Sequence, residues 1–186
     1  MYFPLVVLAQ KEKTWIEASV DAKLNLRANL AKAGVPVKSP VMRSHEKAVP
    51  MSANIKGWDQ LVLTASGTSD GTAQDWSAFV NARLIKEDGS VVWLDELEPA
   101  YQKTGYDQVY KNIGVFGNPL VIGGKKYDHG IFCHADALVI YNLDKKFVRF
   151  ETEVGIVDKL TQGSVSFGWL LPWRKTGIST SLSRCL

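Results

Sequence analysis

Aromatic and polar side chains in predicted loops are the residues of this sequence best suited to bind a ligand. The chain of 186 residues contains six Trp and six Tyr, and Trp76, Tyr106 and Tyr110 lie in or beside predicted loops. An aromatic ring can stack on the apolar C–H face of a sugar, while the sugar hydroxyls need polar partners. We therefore predict a carbohydrate site formed by these three rings with Asp75 and His134.

An oxygen-rich loop precedes this predicted site. It runs from residue 66 to residue 74 and contains Asp70, and Asp75 follows directly. Calcium takes six to eight oxygen ligands, although the spacing here differs from that of an EF-hand. We predict that no cofactor is required. Two alternatives stay open for this loop: it binds calcium through Asp70 and Asp75, or it is a solvated turn without an ion.

Motifs for catalysis are missing from the sequence. It contains no G-x-S-x-G, no H-E-x-x-H and no phosphate-binding loop, and residues 123–126 (GGKK) are typical of a hairpin turn. The acidic cluster at residues 95–98 is predicted to be a solvated face. In an extended strand His129 and Cys133 would share one face and His134 the other, which argues against a shared zinc site. We predict that the chain is not an enzyme.

The composition excludes several other classes of protein. With 46% apolar and 22% charged residues, the chain is typical of a soluble globular protein. A net charge of +3 is too small to indicate a nucleic-acid partner. No apolar stretch reaches the roughly 18 residues of a membrane span.

The first 36 residues are predicted to be a signal-like start followed by a helix. The apolar run at residues 2–9 resembles the core and cleavage region of an export signal with a truncated beginning, so we expect a secreted or periplasmic protein. A buried strand containing Pro4 is the alternative. Periodic apolar residues favour a helix over residues 15–33.

From residue 37 onward the pattern changes to short alternating runs separated by turns at intervals of roughly ten residues, which is typical of an all-β sandwich. The predicted strands are 48–55, 60–65, 76–85, 91–94, 119–122, 137–143, 148–156 and 164–167, and another strand resumes at Tyr127.

The segments after His45 and His134 echo each other, each with a strand, a tight turn and a second alternating strand. Two such units fit two packed sheets.

A twelve-residue segment resembles a known family. Residues 124–135 (GKKYDHGIFCHA) are similar to the pattern G-K-x-Y-x-x-G-[IL]-x-x-H-A of NPCBM, a family of carbohydrate-binding modules found attached to glycoside hydrolases such as α-galactosidases. Weaker similarities lie upstream at Gly71, Asp75-Trp76, 82–85 and 88–89. The resemblance covers roughly residues 40–167.

The resemblance implies a galactose-binding-like jelly-roll sandwich with a non-catalytic role. It also implies a secreted protein, galactose-type or other glycans as ligands, and a covalently linked glycosidase domain as partner. It carries over no site residues. Two alternatives stay open: a fragment of a glycosidase whose catalytic domain is absent, and a structural or protein-binding sandwich without sugar affinity.

The C-terminal end departs from the family pattern. After Phe167 the family continues with alternating strands, whereas this chain has GWLLPWRK and then a Ser/Thr-rich end. We therefore predict a sandwich over residues 37–170 and an irregular tail over residues 171–186. A missing final strand would leave an unpaired sheet edge.

Overall fold

The computed structural model describes residues 37–158 and 163–170, and this part of the chain is built from β-strands. The strands are β1 (Val37–Arg43), β2 (Val49–Asn54), β3 (Gln60–Gly67), β4 (Trp76–Ile85), β5 (Val91–Trp93), β6 (Tyr101–Lys103), β7 (Tyr110–Lys111), β8 (Leu120–Ile122), β9 (Lys125–Tyr127), β10 (Gly130–His134), β11 (Ala137–Asn142), β12 (Arg149–Ile156) and β13 (Ser164–Leu170). A single 3-10 turn lies at Leu94–Glu96, and Val115–Gly117 form a tight turn whose middle residue is not helical. The predicted signal-like start, N-terminal helix and tail lie outside the described residues.

The strands form two main antiparallel sheets. Sheet A has the order β1-β13-β3-β11-β6, and sheet B has the order β2-β12-β4-β10-β7 with β5 beside β4. Strands β8 and β9 form a separate two-stranded ribbon. The prediction of an all-β sandwich is confirmed.

The main core lies between the two sheets. In β12, Phe150 and Val154 are buried, while Arg149 and Glu151 lie on the other face, as expected for a strand with one buried side. Perpendicular ring contacts join the two sheets. The ring centroids of Phe79 and Phe167 are 5.3 Å apart, and those of Phe150 and Trp169 are 5.5 Å apart. Such edge-to-face pairs fix how the two sheets pack.

A second hydrophobic cluster lies on the outer face of sheet B. Strand β4 starts with the run WSAFV, in which all five residues are buried, so this strand has apolar neighbours on both faces. The ribbon β8-β9 supplies the outer cover. The cluster comprises Trp76, Ala78, Val80, Leu120, Ile122, Tyr127, Phe132 and Val157. This outer cluster holds Trp76 at the end of sheet B.

The predicted echo corresponds to two similar units in the fold. In each unit a turn carries the chain from one sheet to the other, and β2 pairs with β12 while β3 pairs with β11. The two turns are joined by main-chain hydrogen bonds: Lys145 N donates to Trp58 O at 3.0 Å and Ile55 N to Val148 O at 2.9 Å.

Some strands differ from the prediction. Strand β1 contains Pro40 and a bulge between Lys38 and Val41, and both features interrupt the alternation by which strands are recognised. Strand β13 extends to Leu170, beyond its predicted end, and pairs with both β1 and β3. Strand β13 is therefore an interior strand of sheet A, and β1 lies at that edge of the described sheet. The prediction of a missing final strand concerns residues beyond 170, outside the described part.

Candidate functional site

Trp76 is the centre of a group of rings on the outer face of sheet B. It starts β4 directly opposite His134 of β10. Phe132 and His134 are two positions apart in β10, so their side chains project from the same face. Phe132 stacks on Trp76 with a distance of 5.6 Å between ring centroids and an interplanar angle of 15°. The His134 ring contacts Trp76 edge-on, with 4.9 Å between ring centroids. Trp76 and His134 are both buried.

Two exposed rings flank this buried centre. Tyr106 is 60% exposed, and its ring centroid lies 5.8 Å from that of Trp76. Phe116 is 84% exposed, and its ring centroid lies 6.4 Å from that of Trp76. We call Trp76, Tyr106, Phe116, Phe132 and His134 the aromatic patch. Exposed rings beside a buried, rigid ring offer apolar faces for a ligand to stack on.

Phe116 is part of the patch that the sequence prediction missed. Its φ of 58° and ψ of 26° lie in the left-handed region, which a bulky side chain rarely adopts. The loop is closed by Gly114 N, which donates to Asn118 O at 2.7 Å. The available signal was the sequence GVFG, a large apolar residue between glycines in a loop. Backbone strain and exposure of this kind concentrate at binding sites.

The loop carrying Tyr106 is tied to the end of β10. Gly105 N donates to His134 O at 3.0 Å, while Thr104 Oγ1 accepts from His134 N and donates to His134 O, both at 2.9 Å. A Cβ at Gly105 would collide with the Ala135 carbonyl oxygen, so only glycine fits this approach. These contacts hold Tyr106 beside Trp76.

His134 presents a defined tautomer. Its Nδ1 lies 2.6 Å from Ala135 O, and a carbonyl can only accept, so Nδ1 carries a proton. In a neutral imidazole the other ring nitrogen is then an acceptor. His134 can therefore offer a hydrogen-bond acceptor next to the rings.

Tyr110 lies one ring away from Trp76. Its ring is 6.1 Å from that of Phe132, and its hydroxyl donates to Asp107 Oδ2 at 2.8 Å. This hydrogen bond raises the pKa of Tyr110. The structure thus joins Trp76, Tyr106 and His134 directly, and Tyr110 through Phe132.

Asp75 precedes Trp76 but lies beneath the patch. It is 1% exposed, and its Oδ1 accepts from Ser164 N at 2.9 Å. Its Oδ2 has no hydrogen-bond partner among the described residues. Burial raises the pKa of this carboxyl group. The side chain therefore supports the start of β13 and does not face the exposed rings.

Asp70 lies on the other side of Ser164. Both Asp70 carboxylate oxygens are 2.7 Å from Ser164 Oγ, and Thr68 Oγ1 donates to Oδ1 at 2.6 Å. These hydrogen bonds lower the pKa of Asp70. The described residues contain no group of three or more His, Cys, Asp or Glu side chains placed to hold a metal ion.

The prediction of a solvated acidic cluster at residues 95–98 is wrong for Asp95, whose side chain is 4% exposed. Its carboxylate accepts from Asn112 Nδ2 at 2.8 Å and lies 3.1 Å from His129 Nδ1. The imidazole stacks on Trp93 at 4.1 Å. Sequence spacing could not show that β5 and the segment before β10 enclose this carboxylate.

Comparisons with known proteins point to one family. No curated protein matches the chain. The crystal structure of the SPBc2 prophage-derived protein YomS aligns with 74% of this chain and 95% of its own, at 12% identity and a TM-score of 0.31, a likeness too low to carry an argument. The helical turns of the described part are far short of a membrane-spanning helix. The model of the NPCBM/NEW2 domain matches residues 25–85 and 90–174, and the chain belongs to this family.

Proposed function

We propose that this chain is a non-catalytic carbohydrate-binding module that holds a sugar on the aromatic patch. The observation that carries the proposal is the pair of exposed rings, Tyr106 and Phe116, that both pack next to the buried Trp76. Membership of the NPCBM/NEW2 family supports a carbohydrate ligand.

The patch matches the two-sided chemistry of a sugar. In this proposal the apolar C–H face stacks on Phe116 or Tyr106, and the acceptor nitrogen of His134 and the carboxylate of Asp107, next to Tyr106 in sequence, are the candidate partners of the hydroxyls. Galactose suits this arrangement because its axial hydroxyl leaves one face largely apolar. The proposal includes a linked glycosidase as partner and a secreted or periplasmic location, both of which depend on the resemblance in the sequence.

A glycan array followed by calorimetric titration with galactose tests this function. Tyr106→Ala should weaken binding about tenfold, which corresponds to about 1.4 kcal/mol. The matched control is Tyr101→Ala, which removes an exposed ring from β6 of sheet A, away from the patch, and should bind as the wild type does. Absence of binding to every glycan would favour the protein-binding alternative. Hydrolysis of a nitrophenyl galactoside by this chain would contradict the non-catalytic assignment.

We also propose that Asp75 and Asp70 contribute to a calcium site beneath the patch. The support is Asp75 Oδ2, which has no hydrogen-bond partner within residues 37–158 and 163–170. A Cβ at Gly67 would lie 2.9 Å from this oxygen and 2.7 Å from Gly71 O, so a carboxylate and a carbonyl oxygen face the same small space. Two acceptors placed in this way fit a cation, since calcium takes carboxylate and main-chain oxygens.

Melting temperatures in calcium and in EDTA test this site. The wild type should melt higher in calcium, because a ligand that binds only the folded state stabilises it. Asp75→Asn should lose that gain. The control Asp88→Asn, in an exposed turn where Asp88 Oδ1 accepts from Ser90 N, should keep it. A wild-type melting temperature that is the same in calcium and EDTA would rule out the site.

The calcium-free protein has an expected pH dependence. Because burial raises the pKa of Asp75, the folded state holds this proton at pH values where the unfolded chain has released it. The contribution of Asp75 to stability is therefore greatest below its unfolded pKa and is lost as the pH rises through the folded pKa. In EDTA at pH 7, Asp75→Asn should accordingly melt higher than the wild type. A lower melting temperature would contradict this account.

A further inference from the structure

A cleft opens between the two sheets at the edge formed by β6 and β7. Its volume is about 300 Å³, and its walls include Glu98, Gln102, Tyr110, Lys111 and Tyr141. Strand β6 ends sheet A and β7 ends sheet B within the described part of the chain, and the opening lies at these two edges.

Tyr141 brings an unsatisfied hydroxyl group to this cleft. Its side chain is 1% exposed, and the hydroxyl has no hydrogen-bond partner among the described residues. Burial, and then the charges of Cys133, Asp95 and Glu98, raise the pKa of the phenol. Glu98 is itself a wall of the cleft, so the phenol lies within reach of its charge. Buried polar groups in proteins are nearly always paired, and a ligand in the cleft would supply the missing partner.

The polar groups of the cleft suit a neutral ligand. Lys111 Nζ and Glu98 Oε1 form an ion pair at 2.6 Å, so their charges cancel. The Gln102 amide and the Tyr141 hydroxyl add neutral groups that both donate and accept. An anion or a cation would meet no net opposite charge here. A sugar hydroxyl both donates and accepts, and it can pair with each of these side chains.

Ring contacts through Tyr110 link the cleft to the aromatic patch. This residue lines the cleft and packs on Phe132, which in turn stacks on Trp76. We propose that the cleft between β6 and β7 is a second subsite, which takes a further neutral sugar unit of the same glycan whose end ring lies on the patch. This inference depends on the proposed carbohydrate function.

Tyrosine ring signals measured by NMR on the whole chain test the subsite. The probes are galactose and a linear tetrasaccharide that ends in galactose. Galactose should shift the Tyr106 ring alone, and the tetrasaccharide should shift the Tyr106 and Tyr141 rings together. A tetrasaccharide that shifts Tyr106 and leaves Tyr141 unchanged overturns the second subsite and leaves the patch in place. If neither ring shifts with either probe, the carbohydrate function itself fails.

The variant Tyr141→Phe separates binding from folding. It removes a hydroxyl that has no partner among the described residues, so the melting temperature should stay the same or rise. Affinity for the tetrasaccharide should fall about fivefold, and affinity for galactose should stay unchanged. The matched control is Tyr127→Phe, which removes a hydroxyl that donates to Glu153 Oε2 at 2.9 Å. That control should melt lower and bind both probes as the wild type does. Equal tetrasaccharide affinity in Tyr141→Phe and the wild type would overturn the inference.

Discussion

Replacing Trp76 by alanine is expected to remove glycan binding together with about 3–5 kcal/mol of the free energy of unfolding. Trp76 contacts Phe132, His134, Tyr106 and Phe116 and belongs to the outer hydrophobic cluster. Its removal leaves a cavity at the end of sheet B and frees both exposed rings. Because a domain of this kind is stable by about 5–15 kcal/mol in total, the loss is a large part of the whole. Urea denaturation measures the stability and titration with galactose measures the affinity.

Trp93→Ala is the matched control for this prediction. Trp93 lies in β5 and stacks on His129, and it is only partly buried. Its removal should cost less stability and should leave galactose affinity unchanged. Trp76→Phe should recover part of the stability lost in Trp76→Ala, since a ring again fills the space. If Trp76→Ala unfolds at the same urea concentration as the wild type, Trp76 does not organise the patch.

Replacing Phe116 by glycine is expected to weaken glycan binding at least tenfold with almost no change in stability. The ring is 84% exposed, so little packing is lost. Glycine tolerates the φ of 58° that strains phenylalanine, which offsets the greater entropy of glycine in the unfolded chain. The relief of backbone strain and the entropy cost of glycine are each about 1 kcal/mol and opposite in sign. The affinity should fall because a central aromatic contact often contributes 2 kcal/mol or more to binding.

A second variant removes the concern that glycine loosens the loop. Asn tolerates the left-handed region better than most residues, so Phe116→Asn should keep the loop conformation and still lose affinity. Affinity unchanged in both variants would show that Phe116 is not a ligand contact. A large fall in melting temperature would show instead that the ring has a structural role.

The strands that sequence predicts best are those with an unbroken pattern. Strand β4 has the predicted bounds of residues 76–85, and β12 shows the predicted alternation. Strands β6 and β7 were not predicted, because their short sequences YQK and YK are largely polar, whereas the equally short β5 and β8 consist of apolar residues. Strands β6 and β7 exist because a longer neighbour, β11 or β10, supplies the hydrogen bonds.

The residue types of the candidate site follow from the sequence, whereas their arrangement follows only in part. Trp76, Tyr106 and His134 lie together because β4 and β10 pair and Gly105 ties the loop to β10, and their role in binding stays a prediction. Phe116 was missed because its loop conformation depends on contacts formed only in the folded chain. Asp75 follows a polar loop in the sequence, yet β13 covers it, and no local pattern reveals a strand that arrives 89 residues later.

The course of β13 separates the ends of the described sandwich from the aromatic patch. The strand begins at Ser164, which is held against Asp75 beneath the patch, and its seven residues extend about 23 Å to Leu170. Val37 pairs with Trp169, so the described part of the sandwich begins and ends side by side on sheet A. Both ends therefore lie at the far end of β13 from Asp75, and on the opposite sheet from the patch.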